Sequence, residues 1–152
     1  MKKILAFALV IAVFLSACGQ IKADVADTPE AKATQALVQQ YIKANMMYDA
    51  DLLMSLYADN VVWMDYGLYD GPFNKATIDF YTRESFGRKD MKAKMKSYIV
   101  TEDGRFAVLQ TTFSMQAASN NKWASTPAIA ILEFKDGEIV NETWYYNRAV
   151  FY

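Results

Sequence analysis

Two hydrophobic rhythms and a set of turns predict an α+β fold, three helices packed on a curved antiparallel sheet. Before Phe86 apolar residues recur in three stretches at helical spacing, and from Met91 onward they recur at every second position. Three turn signals, Glu102-Asp-Gly-Arg105, Ser119-Asn-Asn-Lys122 and Lys135-Asp-Gly-Glu138, cut that second half into strands.

The first helix is expected over about Pro29 to Met47. Asp27 or Thr28 can cap it, Pro29 suits its first turn, and Asp27 with Glu30 has capping-box spacing. Its apolar face reads Leu37, Tyr41, Ala44 and then Met47 or Tyr48. A short second helix follows from about Ala50 to Tyr57, with Leu52, Leu53, Leu56 and Tyr57 as its apolar face. Asn60 to Asp65 turns β-branched and aromatic, the composition of a strand. Gly67 and Gly71-Pro72 break the chain, and a third helix spans Asn74 to Phe86 with Ile78, Phe80 and Tyr81 facing inward. Met91, Ala93 and Met95 then alternate with Lys92, Lys94 and Lys96, a strand with one buried face and a lysine row that reads as a solvated face or a protected edge. Phe106 to Gln116, Trp123 to Phe134 and Ile139 to about Phe151 complete the sheet.

The N-terminus addresses the chain to a membrane. Met1-Lys-Lys is followed by an apolar run from Ile4 to Leu15 and then Leu15-Ser-Ala-Cys18. A charged start, a short apolar stretch and small residues describe a secretory signal peptide, and the run is well short of the roughly 20 residues that span a bilayer. The cysteine after the small pair resembles a bacterial lipobox, whose thiol is acylated before cleavage, so Cys18 becomes the mature, lipid-bearing N-terminus. The expected division is a signal peptide at 1–17, a tether at 18–28 and one domain at 29–152. Gly19, where enterobacterial lipoproteins destined for the inner membrane carry a retention aspartate, favours the outer membrane, facing the periplasm. Cys18 is the only cysteine, so the chain forms no internal disulfide. Without Lys2 and Lys3, 14 basic and 17 acidic residues remain, a net charge of −3 that gives nucleic acid no electrostatic footprint.

The runs Tyr41-Ile-Lys-Ala-Asn45, Tyr48-Asp-Ala-Asp-Leu-Leu53 and Leu56-Tyr-Ala-Asp-Asn-Val-Val-Trp-Met-Asp-Tyr-Gly67, the later Gly71-Pro72, and the ending Phe134-Lys-Asp-Gly-Glu-Ile-Val140 with Trp144-Tyr-Tyr-Asn147 resemble the SnoaL-like branch of the nuclear transport factor 2-like superfamily. The resemblance spans nearly the whole mature domain. It implies a cystatin-like cone whose pocket is closed by the long helix and the curved sheet, and a sheet face that commonly pairs two copies. Candidate contributors to such a homodimer are Val108, Ile129, Ile131 and Trp144. The scaffold serves enzymes and binding modules alike, so the fold does not name the function.

In the superfamily's ketosteroid isomerases an aspartate ends the first sheet strand and transfers the proton, while a tyrosine of the first helix donates to the substrate oxyanion. Asp65 and Tyr41 stand at matching places. The third member of that set, a protonated aspartate, is replaced by Ala130, which leaves the oxyanion hole incomplete. Asn147 stands where many relatives carry aspartate. The chain has no histidine, which removes scytalone dehydratase-like chemistry and nucleophile systems that need an imidazole. A limonene epoxide hydrolase-like set would need Arg83, Arg88, Arg105 or Arg148 beside Asp65. Asp49, Asp51 and Asp59 lack the spacing of a calcium loop and read as caps. No metal or cofactor is therefore expected. Two readings stay open for Asp65, a general acid/base or a turn cap, and two for Tyr41, a donor to ligand or a core residue. Trp63, Tyr66, Trp144 and Tyr146 are the candidate walls of an apolar ligand site. The function expected is a lipid-anchored envelope module that binds a small hydrophobic ligand or only dimerises; the alternative is an isomerase, dehydratase or cyclase using Asp65 with Tyr41.

Overall fold

The computed structural model describes residues 21–67, 71–89, 91–116 and 122–151. Cys18, the expected signal peptide before it and most of the Ser119–Lys122 turn lie outside the described residues. The elements run β1 (Lys22–Val25), α1 (Pro29–Met47), α2 (Ala50–Ser55), β2 (Tyr57–Asp65), α3 (Lys75–Arg88), β3 (Met91–Val100), β4 (Phe106–Gln116), β5 (Trp123–Lys135) and β6 (Glu138–Tyr146), then a short 3₁₀ turn (Arg148–Phe151). The six strands form one sheet in the order β1-β3-β4-β5-β6-β2. Its middle is antiparallel, while β1 lies parallel to β3 and β2 parallel to β6.

Each helix begins on a side-chain cap. Thr28 accepts from the Ala31 N–H with Pro29 behind it, Asp49 from Leu52, and Asn74 from Thr77, each satisfying an N–H that has no partner within its helix. Asp49 is thus a cap, as expected, whereas Asp51 pairs with Arg83 at 2.8 Å and Asp59 with Lys75 at 3.0 Å. Thr28 also donates to the Glu102 carbonyl at 2.7 Å and Thr34 to the Gly104 carbonyl at 2.6 Å, which fastens α1 to the β3–β4 turn. Gly104 is required there: its φ is +67°, and a Cβ would stand 2.6 Å from the Glu30 carbonyl oxygen.

Several expectations need correction, beginning with the sheet, which is mixed rather than antiparallel throughout. Residues 22–25, assigned to the tether, form β1. Tyr57 opens β2 instead of closing α2. Phe80 does not face inward: it is 61% exposed, because Ile78, Tyr81, Thr82, Ser85 and Phe86 make the inner stripe of α3 and Phe80 falls between its rows. The last strand stops at Tyr146; Asn147 accepts from the Ala149 N–H at 3.0 Å, and the 3₁₀ turn folds Phe151 back under Phe113 and Tyr146.

Alternation sorts the sheet into a covered and an open face. Leu109, Phe113, Ala130, Leu132 and Trp144 are buried beneath the helices, whereas Ile99, Ile129 and Tyr145 are exposed. Trp144 therefore does not belong with Val108, Ile129 and Ile131 on the outer face. Register shifts between Tyr57 and Val62, Met95 and Ser97, and Glu133 and Phe134 mark bulges that bend the sheet.

Candidate functional site

Between the helices and the covered face lies a cavity of about 110 Å³. α1 contributes Tyr41, Asn45 and Tyr48; α3 contributes Ile78, Tyr81 and its C-terminal turn; β6 contributes Glu142, Trp144 and Tyr146. Period two makes the β6 set, since residues 142, 144 and 146 share one side of the strand.

Its deepest polar group is one that the sequence reading did not single out. Glu142 is 2% exposed. Its Oε1 accepts from the Tyr41 hydroxyl at 2.7 Å and from the Trp144 indole N–H, and its Oε2 accepts from the Tyr57 hydroxyl. Burial pushes the Glu142 carboxyl above the usual carboxylate range, against the neighbouring hydrogen-bond donors, which pull it down. The phenols of Tyr41 and Tyr57 are pushed well above their ordinary value, first by burial and then by the adjacent Glu142 charge. Glu142 and Tyr57 were legible in part: Glu142 sits two residues before Trp144, on the parity of the two β6 aromatics already named.

Asp65 stands in the cavity wall, 6% exposed. Oδ1 accepts the Gly67 N–H at 2.6 Å, and Oδ2 accepts the Tyr146 hydroxyl at 2.8 Å. It is thus both a turn cap and a partner of a wall phenol. Gly67 has to be glycine, since a Cβ there would fall 2.0 Å from the Tyr146 ring. Tyr41 lines the same cavity, but its one proton is given to Glu142. Trp63, Trp144 and Tyr146 line the cavity. Tyr66 does not: it is 59% exposed and stacks on Tyr145 on the open face, ring centroids 5.0 Å apart, because it follows Asp65 on the strand's opposite side.

No arginine is among the lining residues. Arg83 is held by Asp51 and Asp79, Arg88 by Glu84 at 3.3 Å and Arg105 by Glu133 at 3.2 Å, all at the surface. An aspartate–arginine–aspartate site is therefore not assembled on Asp65. Among the described residues no group of three His, Cys, Asp or Glu side chains could hold a metal ion.

A mixed sheet bent over three helices, with a cavity of two carboxylates and a ring of aromatics, defines an α+β cone of the kind found in nuclear transport factor 2-like proteins. A family model for the SnoaL-like domain matches residues 38–142, and the chain belongs to that family. Among solved structures it is similar to a candidate polyketide cyclase from Pseudomonas putida KT2440, at 22% identity and a TM-score of 0.65 over 78% of this chain and 93% of that one. A nuclear transport factor 2-like protein from Burkholderia thailandensis E264 matches at 13% identity and TM-score 0.66, over 78% and 92% of the two chains. A protein of unknown function with a cystatin-like fold from Xanthomonas campestris matches at 19% identity and TM-score 0.67, over 77% and 93%. At these identities the likeness is one of fold. No curated protein matches the chain.

Proposed function

We propose that the domain binds a small, largely apolar molecule in this cavity, without transforming it, while a lipid on Cys18 holds it to the cell envelope. The observation that carries this reading is that both cavity carboxylates already accept internal donors, Glu142 from Tyr41, Tyr57 and Trp144, and Asp65 from Gly67 and Tyr146. A general base must be within reach of the proton it takes, and here the polar groups are engaged in holding one another while the aromatic wall is what a ligand meets. The volume of about 110 Å³ is somewhat under that of the roughly 150 Å³ cavity that accepts benzene, so the ligand portion it holds is no larger than about one ring.

Anchoring is supported by the lipobox-like Leu15-Ser-Ala-Cys18, and Gly19 supports the outer membrane. Among the described residues no helix is long and apolar enough to cross a membrane. The exposed Ile99, Ile129 and Tyr145 of the open sheet face support a homodimer built by that face.

One observation favours a second reading: Asp65 and the Tyr146 hydroxyl form a carboxylate–phenol pair in the cavity wall. In an isomerase, dehydratase or cyclase acting on a small carbonyl compound, Asp65 would move the proton while the Tyr146 hydroxyl, which donates to it, holds that carboxylate in place; the Tyr41 proton is already given to Glu142.

Trp63 and Trp144 report on the cavity directly. Titrating the protein with acetophenone, phenol and cyclohexanone should shift tryptophan emission saturably and raise Tm in step with occupancy. No response to any of the three overturns ligand binding, and turnover of a carbonyl compound that Asp65→Asn abolishes selects the second reading.

A further inference from the structure

The lysine row of β3 has a place in the fold that a merely solvated face does not require. β1 runs parallel to β3 and begins with Lys22 opposite Ser97, so the chain enters β1 from the side of the sheet where Lys96, Lys94 and Lys92 lie. These three lysines are exposed. At the same end Gln116 pairs with Trp123, which is 42% exposed, and the Lys92 ammonium sits 4.1 Å from the Trp123 ring centroid. The opposite end of the sheet carries five acidic residues, Glu102, Asp103, Glu133, Asp136 and Glu138, around its turns against two basic ones, Arg105 and Lys135. Charge is thus polarised along the strands of a chain whose mature form is acidic overall.

Chain length fixes what this basic end can face. Four steps separate Cys18 from Lys22, a reach of at most about 14 Å, whereas β3 extends about 20 Å from Ser97 back to Met91. A lipid on Cys18 therefore keeps Lys22, and the side of the sheet from which β1 starts, within about 14 Å of the membrane that holds it.

We propose that Lys22, Lys92, Lys94 and Lys96, with Trp123, form a surface that rests on the anionic headgroups of the membrane holding the lipid. The inference rests on the reading of Cys18 as lipidated. Lysines near an anionic leaflet each favour association by about fivefold, and an indole beside them sits at headgroup depth. Acidic residues at the far end are turned away from the same field.

The test separates the surface from the anchor. The chain from residue 18 with Cys18→Ser holds every described element and carries no lipid. It should float with phosphatidylcholine vesicles containing one third phosphatidylglycerol, not with phosphatidylcholine alone, and lose binding as salt rises. The triple variant Lys92→Gln, Lys94→Gln, Lys96→Gln, with its melting curve unchanged, should partition about 100-fold more weakly; Lys135→Gln, at the acidic end, should change partition less than about twofold. Equal binding by the triple variant, binding independent of headgroup charge, or no binding to the anionic vesicles overturns the proposal. The anchor is read separately, from the mass of the N-terminal peptide of the full chain made with its leader: an unmodified Cys18 overturns lipidation without touching the vesicle result.

Discussion

Replacing Glu142 in two ways separates the charge of the buried cage from its hydrogen bonds. In Glu142→Leu the hydroxyls of Tyr41 and Tyr57 and the indole of Trp144 lose their acceptor at once. Each buried donor left unpaired costs about 1–3 kcal/mol, a gross loss of roughly 6 kcal/mol for three. Removing a desolvated carboxylate returns several kcal/mol at most, which leaves a net loss of about 3 kcal/mol, or a fall in Tm of about 10 °C. Glu142→Gln behaves differently. Tyr41 and Trp144 share Oε1, which the amide oxygen can replace, while the amide nitrogen faces Tyr57, whose oxygen can accept once its proton turns away. That variant should stay within about 1 kcal/mol of the parent at neutral pH.

The pH dependence gives the same experiment a sign. Because burial raises the Glu142 carboxyl in the folded protein, the folded state holds its proton over a range where the unfolded chain, with a carboxyl near 4.3, has released it. Stability from this site is therefore greatest at low pH and declines as pH rises through that window. Glu142→Gln lacks the decline, so its Tm relative to the parent should improve as pH rises from about 4 to 8. Thermal unfolding followed by circular dichroism at both values is the assay. A Glu142→Leu variant as stable as the parent, or a Gln variant whose relative Tm falls with rising pH, refutes the account of the cage.

Alkaline difference absorbance should find that at least two of the ten tyrosines, Tyr41 and Tyr57, ionise only when the protein unfolds, since both phenols are pushed well above their ordinary value; ionisation of all ten in the native state would contradict this. Asp65→Asn should lose about 1 kcal/mol, because asparagine replaces only part of the acceptor set shared by Gly67 and Tyr146, and a rise in Tm would show that the carboxylate is held at a cost for chemistry. Sedimentation of the chain from residue 18 without lipid should show a dimer at micromolar concentration that Ile129→Lys dissociates; a clean monomer from the parent removes the sheet face as an interface.

The features that were legible in the sequence are those encoded locally. Thr28, Asp49 and Asn74 cap helices where short polar side chains precede apolar periodicity. Asp136 and Gly137, at φ +53° and +83°, make the tight turn that an Asp-Gly pair announces. β1 was not legible, since four residues held by a parallel backbone ladder carry no amphipathic signature. Tyr57 fits the apolar face of a helix and the start of a buried strand equally well, and only its partners choose between them. Asp65, Trp63, Trp144 and Tyr146 face the cavity because strand ends and aromatic runs point into such a fold's interior. Tyr66 was misplaced by one step of the same alternation. The Glu142 cage joins residues 101 and 85 positions apart in sequence, and no spacing rule announces such a convergence.

Native mass spectrometry of the full chain, released from the membrane of its own host in mild detergent, tests the central claim most directly. Small-ligand binding predicts a retained non-covalent species of roughly the bulk of one ring, lost from a Trp144→Ala variant that keeps its lipid. A parent protein that carries nothing in the cavity, and gains nothing when incubated with a host lipid extract, would contradict it.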